Sequence, residues 1–83
     1  MNNDWDQLRF FLALAQNKTL TRAGRSLQVS HSTVFRKLKS MEEELGVTLF
    51  ENTSTGYSLT NAGRQLLEET QEVGDIIETN FRK

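Results

Sequence analysis

The chain has 83 residues, of which 25% are charged, a formal net charge of −1 and no cysteine. This length allows one compact domain without a separate catalytic domain, and the lack of cysteine excludes disulfides and thiolate metal sites. The N-terminal segment 1–4 is polar and acidic with no apolar run behind it, so we expect neither a signal peptide nor a membrane span.

Two helical patterns occupy the first third of the chain. Asp6 can cap a first helix of about residues 6–17, and Thr19 can cap a short second helix that ends near residue 27. The apolar face of the first helix is formed by Leu8, Phe11, Leu12 and Ala15. The buried stripe of the second is formed by Leu20, Ala23 and Leu27. Gly24 costs about 1 kcal/mol within a helix relative to alanine, so a close packing contact is expected there.

A third helix follows after a tight connection at Gln28 and Val29. Ser30 can cap this helix over about residues 31–45, and Gly46 is a typical C-terminal stop. Its apolar stripe is formed by Val34, Leu38, Met41 and Leu45. The short spacing between the second and third helices predicts a helix-turn-helix unit.

A small β-hairpin and a long helix complete the pattern. Residues 47–50 and 57–59 are short apolar pieces separated by the turn-rich segment 52–56, and Thr60 can cap a helix that runs to about Phe81. The order predicts a mainly α fold, a winged helix-turn-helix with a three-helix core and a hairpin wing, followed by a long helix.

The third helix carries a basic outward face. At about 100° per residue, Ser32, Arg36 and Lys39 lie opposite the apolar stripe, with Thr33 and Phe35 on the flanks. Seven basic residues and no acidic one occur between positions 7 and 41, whereas nine acidic and three basic residues occur from position 42 onward. Such an asymmetry indicates one face that attracts a polyanion and another that repels it, and it fits DNA binding.

Residues 8–63 resemble the N-terminal DNA-binding domain of the LysR-type transcriptional regulators, over about two-thirds of the chain. The resemblance is carried by the segments 8–11, 20–23, 29–30, 36–38, 43–47, 49–51, 59–60 and 62–63, together with Leu27 and Val34. It implies a winged helix-turn-helix domain over 1–59 and a linker helix over 60–83 that mediates dimerisation. The family's regulators carry a C-terminal effector-binding domain, so an effector is expected only in a longer chain.

The sequence departs from the family pattern at several positions. The recognition helix opens with His31, Ser32 and Thr33 where glutamine and proline are common, and Phe35 replaces a usual serine. On the wing, Asn52 and Thr55 stand where arginines are usual. The differences in the recognition helix affect which DNA sequence is bound, and the loss of arginines from the wing should weaken its attraction to phosphates.

The predicted DNA-binding residues are Thr21, Arg22, Ser30, His31, Ser32, Thr33, Phe35, Arg36, Lys37, Lys39, Asn52 and Thr53. Arg36 is the strongest candidate for a base or phosphate contact. Most of the others can also be explained without DNA contact. The alternatives are capping or solvation for Thr21 and Arg22, simple exposure for His31, and half-buried packing for Phe35. Lys37 and Lys39 are either phosphate partners or solvated charges.

The last helix is predicted to dimerise through a seam that steps by four, three, four and four residues, close to a heptad pattern. The seam consists of Leu66, Thr70, Val73, Ile77 and Phe81. Packing against the first helix through Trp5 and Leu8 is the alternative, and both are expected. A homodimer would present two recognition helices to an interrupted palindrome of double-stranded DNA.

The sequence therefore predicts sequence-specific binding of double-stranded DNA by a cytoplasmic, nucleoid-associated bacterial regulator. An alternative is a protein-interaction module that uses the acidic last helix. We expect no enzymatic activity, because the chain offers one histidine, no cysteine and acids that fall in runs. No cofactor and no metal site are expected.

Overall fold

A computed structural model describes residues 2–70 of the chain. The elements are α1 (Asn2–Asn17), α2 (Leu20–Leu27), α3 (His31–Leu45), β1 (Phe50–Thr53) and β2 (Gly56–Leu59). A further helix, α4, occupies residues 61–70 up to the last described position. Three helices, an antiparallel hairpin and a fourth helix follow one another as predicted, so the fold is a winged helix-turn-helix.

Helix α1 is the central helix of the core, and it begins earlier than predicted. Its first residue is Asn2, so Asp6 is not a cap but an internal residue that pairs with Arg9 at 3.7 Å. Polar and acidic residues suit the first turn of a helix, which explains the earlier start. The most deeply buried apolar side chains of α1 are Phe10, Phe11, Ala13 and Leu14, whereas the predicted Leu8, Leu12 and Ala15 are partly buried. The difference arises because α1 packs against α2, α3 and β2 rather than on one side alone.

Helix α2 begins at the predicted cap. Thr19 Oγ1 accepts a hydrogen bond from Arg22 N at 3.1 Å, and this satisfies one of the free amides of the first turn. The preceding residue, Lys18, has a φ of 72° in the left-handed region. The corner between α1 and α2 is therefore a sharp one, closed by a hydrogen bond from Lys18 N to Leu14 O at 2.8 Å.

The turn between α2 and α3 explains the glycine within α2. A Cβ atom added to Gly24 would lie 2.6 Å from Val29 O, a backbone atom that cannot swing aside. Val29 N donates to Gly24 O at 2.8 Å, and Gln28 ends α2 in the left-handed conformation. The expected close contact at Gly24 is thus made by the backbone of the turn itself.

Helix α3 has both predicted ends but a shorter buried stripe. Val34, Leu38 and Met41 are buried in the core, whereas Leu45 is 53% exposed and does not belong to it. Among the described residues no element covers the last turn of α3, because the chain turns away at Gly46. The apolar stripe of α3 is therefore buried only as far as Met41.

The hairpin begins three residues later than predicted. Strand β1 pairs with β2 in the register Phe50↔Leu59, Glu51↔Ser58, Asn52↔Tyr57 and Thr53↔Gly56. Asn52 and Thr53 are consequently strand residues, and only 54–55 form the turn. Residues 47–49 form a connection because Glu42 Oε2 accepts the backbone amides of Leu49 at 2.7 Å and Phe50 at 3.3 Å.

The hairpin is fixed near its turn and at its base. Tyr57 N donates to Lys18 O at 2.7 Å, which joins β2 to the corner between α1 and α2. At the other end Thr60 Oγ1 accepts from Gly63 N at 3.1 Å, as a cap of α4, and donates to Thr48 O at 2.5 Å. The predicted cap at Thr60 is confirmed, and the same side chain holds the start of α4 against the connection that precedes β1.

Candidate nucleic-acid interface

The start of α3 is a cluster of hydroxyl groups around the cap. Ser30 Oγ accepts from Thr33 N at 3.2 Å and also lies 3.1 Å from Ser32 Oγ and 3.0 Å from Thr33 Oγ1. The first turn contains no acidic residue. A helix start with free amides, hydroxyls and no acid is a suitable surface for an anion such as phosphate.

The outward face of α3 is polar and basic along two turns. Ser32, Arg36 and Lys39 are all exposed, on the side opposite the buried stripe. Arg36 Nη2 donates to Thr33 Oγ1 at 3.4 Å, a weak contact that links the guanidinium to the hydroxyl cluster. Among the side chains that the structure describes, those of residues 6–70, none forms an ion pair with Arg36, which is itself exposed. A guanidinium held in this way is available for the paired acceptors of a guanine or for phosphate.

The exposed face also contains a residue that sequence analysis missed. Ser40 is exposed and follows Arg36 by four positions, which places it one turn further along the same side. Its spacing from Arg36 was a usable signal, but serine within a helix carries little information of its own. Further along, Glu43 is also exposed and marks the end of the basic part of this face.

Lys37 does not share the face of Arg36. Its side chain is half-buried, and its Nζ lies 5.9 Å from the ring centroid of Phe10 in α1. Arg9 approaches the same ring, with its Cζ 5.7 Å from the centroid. Lys37 therefore belongs to the flank of α3 that packs toward α1, and its role as a phosphate partner stays a prediction.

Phe35 and Lys39 lie together on the opposite flank. Phe35 is 42% exposed and does not belong to the core cluster. Lys39 Nζ lies 5.5 Å from the ring centroid and 3.5 Å from Glu42 Oε1. An aromatic ring among cations is thus displayed next to Arg36.

The remaining predicted residues lie on two other elements. Thr21 and Arg22 are exposed in the first turn of α2, and His31 is exposed at the start of α3. Asn52 and Thr53 are exposed on β1, where Thr53 Oγ1 donates to Gly56 O at 2.6 Å and so stabilises the turn. The hairpin 50–59 contains no basic residue, and its single charged residue is an acid. Most of the positive charge is therefore on α2 and α3 rather than on the wing.

Two other kinds of site are absent from the described part of the chain. Residues 2–70 contain no group of three or more histidine, cysteine or acidic side chains that could hold a metal ion. None of the helices described there combines the length and hydrophobicity that crossing a bilayer would require.

Comparisons with known proteins agree with this architecture. Residues 5–64 match the sequence model of a family described as "Bacterial regulatory helix-turn-helix protein, lysR family". Similar proteins include the HTH-type transcriptional regulator ClcR of Pseudomonas putida, 36% identical over 75 residues, which cover 90% of this chain and 26% of ClcR. Another is the probable cat1 operon transcriptional activator of Acinetobacter lwoffii, 37% identical over 70 residues, which cover 84% of this chain and 23% of the activator. The chain thus spans about a quarter of the length of these relatives.

Solved structures give the same result. The CbnR DNA-binding domain in complex with DNA superposes with a TM-score of 0.77 and 31% identity, covering 90% of this chain and 86% of that one. An OxyR mutant of Corynebacterium glutamicum superposes with a TM-score of 0.77 and 30% identity, covering 92% of this chain and 24% of OxyR. The chain belongs to the lysR family of bacterial regulatory helix-turn-helix proteins.

Proposed function

We propose that this chain binds double-stranded DNA sequence-specifically, as the DNA-binding domain of a LysR-type transcriptional regulator. The observation that carries the proposal is the outward face of α3, where Ser32, Arg36 and Lys39 are exposed on a helix whose opposite side is buried. An α-helix of this kind fits the major groove, where hydroxyl and guanidinium groups can reach phosphates and base edges. The solved complex of the similar CbnR domain contains DNA.

We assign the contacts in three groups. Arg36, Ser32, His31 and Phe35 are placed in the groove, and Lys39 beside it. The flanking phosphates are assigned to the start of α2, with Thr21 and Arg22, and to the hydroxyl cluster of Ser30 and Thr33. The wing contributes Asn52 and Thr53, which can donate or accept hydrogen bonds but add no positive charge. Lys37 is the weakest member of the predicted set, since its ammonium group lies over Phe10.

The proposal includes a homodimer with a division of the chain at residue 60. Residues 1–59 would form the winged helix-turn-helix, and 60–83 the linker helix. Leu66 and Thr70 are half-buried, and Thr70 Oγ1 donates to Leu66 O at 2.9 Å. Leu66 packs against the core of its own chain, as the alternative of packing within one subunit predicts. The other seam residues, Val73, Ile77 and Phe81, lie outside the described residues.

A regulator of this kind is expected to act in the bacterial cytoplasm on the nucleoid, without a cofactor and without catalysis. A small-molecule effector is expected only if a C-terminal domain follows in a longer chain. The regulators that resemble this chain are about four times its length, which supports such an arrangement.

Selection of bound fragments from genomic DNA, followed by fluorescence-anisotropy titration, tests the proposal. We expect salt-sensitive binding of two chains to an interrupted palindrome. Arg36→Ala should cost about 1–3 kcal/mol per half-site if the side chain is bidentate to a base. Arg36→Lys is the matched variant, because it retains the charge but loses the planar fork, so it should lose specificity while keeping the salt dependence.

Two results would refute the proposal. No retained fragment at moderate salt would favour the protein-interaction module instead. Equal affinity of the wild-type chain for the selected site and for scrambled duplexes would show that α3 does not read sequence.

A further inference from the structure

Phe35 is an exposed aromatic residue that the fold does not use. Phe10, Phe11 and Phe50 are buried in the core, whereas Phe35 is 42% exposed and lies outside the core cluster. It directly follows Val34, which is fully buried, and directly precedes Arg36, which is exposed. Because successive helical residues are about 100° apart, the ring is displayed at the edge of the outward face, beside Arg36.

The surroundings of the ring point to a polyanion rather than to an apolar protein surface. Lys39 Nζ lies 5.5 Å from the ring centroid, and Arg36 is the adjacent residue. The acid that pairs with Lys39, Glu42, has a side chain that is only 12% exposed and is engaged by Lys39 at 3.5 Å and by the amides that precede and begin β1. An apolar ring flanked by cations suits a partner that offers both negative charge and a small apolar group.

We propose that Phe35 recognises the C5-methyl group of a pyrimidine in the major groove, next to the contact made by Arg36. The C5-methyl group is the one apolar feature that base pairs present in this groove, and contact with phenylalanine is an established way to read it. Thymine carries this methyl group, and 5-methylcytosine carries it at the same ring position. The ring of Phe35 forms no hydrogen bond that could distinguish thymine from 5-methylcytosine. It therefore favours thymine over uracil and 5-methylcytosine over cytosine. This inference rests on the proposed DNA-binding function.

The test uses a duplex selected from genomic DNA with the wild-type chain. Replacement of single thymines by deoxyuridine removes only the methyl group and leaves all hydrogen-bonding groups in place. We expect one position in each half-site at which this replacement weakens binding about fourfold, the effect of burying one methyl group. A C·G pair placed at that position should bind about fourfold more tightly when the cytosine is methylated at C5. The two arms thus separate the sources of the methyl group.

Two variants connect the effect to the ring. Phe35→Ser should still fold and bind, because the side chain is exposed, but it should bind methylated and unmethylated duplexes equally. Phe35→Leu, which keeps an apolar side chain, should retain most of the preference. Circular dichroism of both variants checks that the helices are intact.

The outcomes are distinct. Binding that does not respond to deoxyuridine at any position overturns this inference alone, and so does a methyl preference that persists in Phe35→Ser. A change of association state in Phe35→Ser, without a change in methyl preference, would place the ring in a protein contact and overturn it as well. If no DNA fragment binds, the proposed function fails and the inference fails with it.

Discussion

Substitution of Glu42 gives the sharpest test of how α3 holds the wing. Its Oε2 accepts the amide of Leu49 at 2.7 Å and that of Phe50 at 3.3 Å, and both of these residues are buried. A buried amide that loses its acceptor costs about 1–3 kcal/mol. The ion pair with Lys39 adds little, because the lysine side chain is 57% exposed.

We therefore expect Glu42→Ala to lower the free energy of unfolding by about 2–4 kcal/mol, less than two full penalties because the longer bond is weak. This is a large share of the roughly 4–12 kcal/mol expected for a domain of this size. Glu42→Gln keeps an acceptor oxygen without the charge, so its loss should be about half as large. Urea unfolding followed by far-ultraviolet circular dichroism measures these changes.

Glu43→Ala is the matched control, since Glu43 is the next residue of the same acidic run and is exposed. It should change the free energy of unfolding by less than about 0.5 kcal/mol. If Glu42→Ala and Glu43→Ala have equal effects, the carboxylate of Glu42 does not hold β1 and the reasoning is refuted.

Two further substitutions test backbone conformations. Gly24→Ala should destabilise the fold by about 1–2 kcal/mol in thermal unfolding, because the clash with Val29 O exceeds the gain in helix propensity; a stabilised variant would show that the turn can move. Lys18→Gly should stabilise the fold by about 0.5–1 kcal/mol in the same assay, because glycine adopts the left-handed conformation without the cost that lysine has there. The greater conformational entropy of glycine in the unfolded chain offsets only part of this gain. Lys18→Ala keeps the left-handed strain and should give no such gain, so equal stabilisation by both would contradict this explanation.

Much of the fold could be predicted from the sequence because the residues that begin and end its helices act locally. The caps at Thr19, Ser30 and Thr60 and the stop at Gly46 depend on residue types and spacing within one turn. The close contact at Gly24 also had a local signal, since a glycine within a helix has a cost that packing must offset. Each of these features was found where the sequence placed it.

The start of α1 was placed too late at Asp6, and the other errors concern features that depend on contacts outside a single helical turn. Leu45 continues the apolar stripe of α3, but nothing in the described part of the chain covers the last turn. The apolar residues 47–50 resemble a strand, yet the first three of these four residues form a connection whose end is held by Glu42, seven residues before Leu49. Within an acidic run, sequence alone does not tell which carboxylate has backbone amides to accept.

In the candidate interface, too, features set by local periodicity could be predicted and contacts with other elements could not. The exposure of Ser32, Arg36 and Lys39 could be predicted from helical periodicity, because the opposite stripe is apolar. The separation of Lys37 from this face follows from the same periodicity, whereas its contact with the ring of Phe10 in another helix could not be predicted. Long basic side chains at the border of a face can turn to either side, and the tertiary neighbour decides.

One carboxylate connects the two parts of the interface. Glu42 Oε1 pairs with Lys39 on the outward side of α3, while Oε2 accepts the amides that lead into β1. The direction in which the wing leaves the core is therefore set partly by the helix that is proposed to enter the groove, together with the hydrogen bond from Tyr57 N to Lys18 O near the turn of the hairpin. Because the wing carries no basic residue, phosphate attraction does little to reposition it, so its placement on DNA depends on these internal bonds. A loss of affinity in Glu42 variants that remain folded would then reflect a displaced wing, even though no acidic side chain is expected to touch DNA.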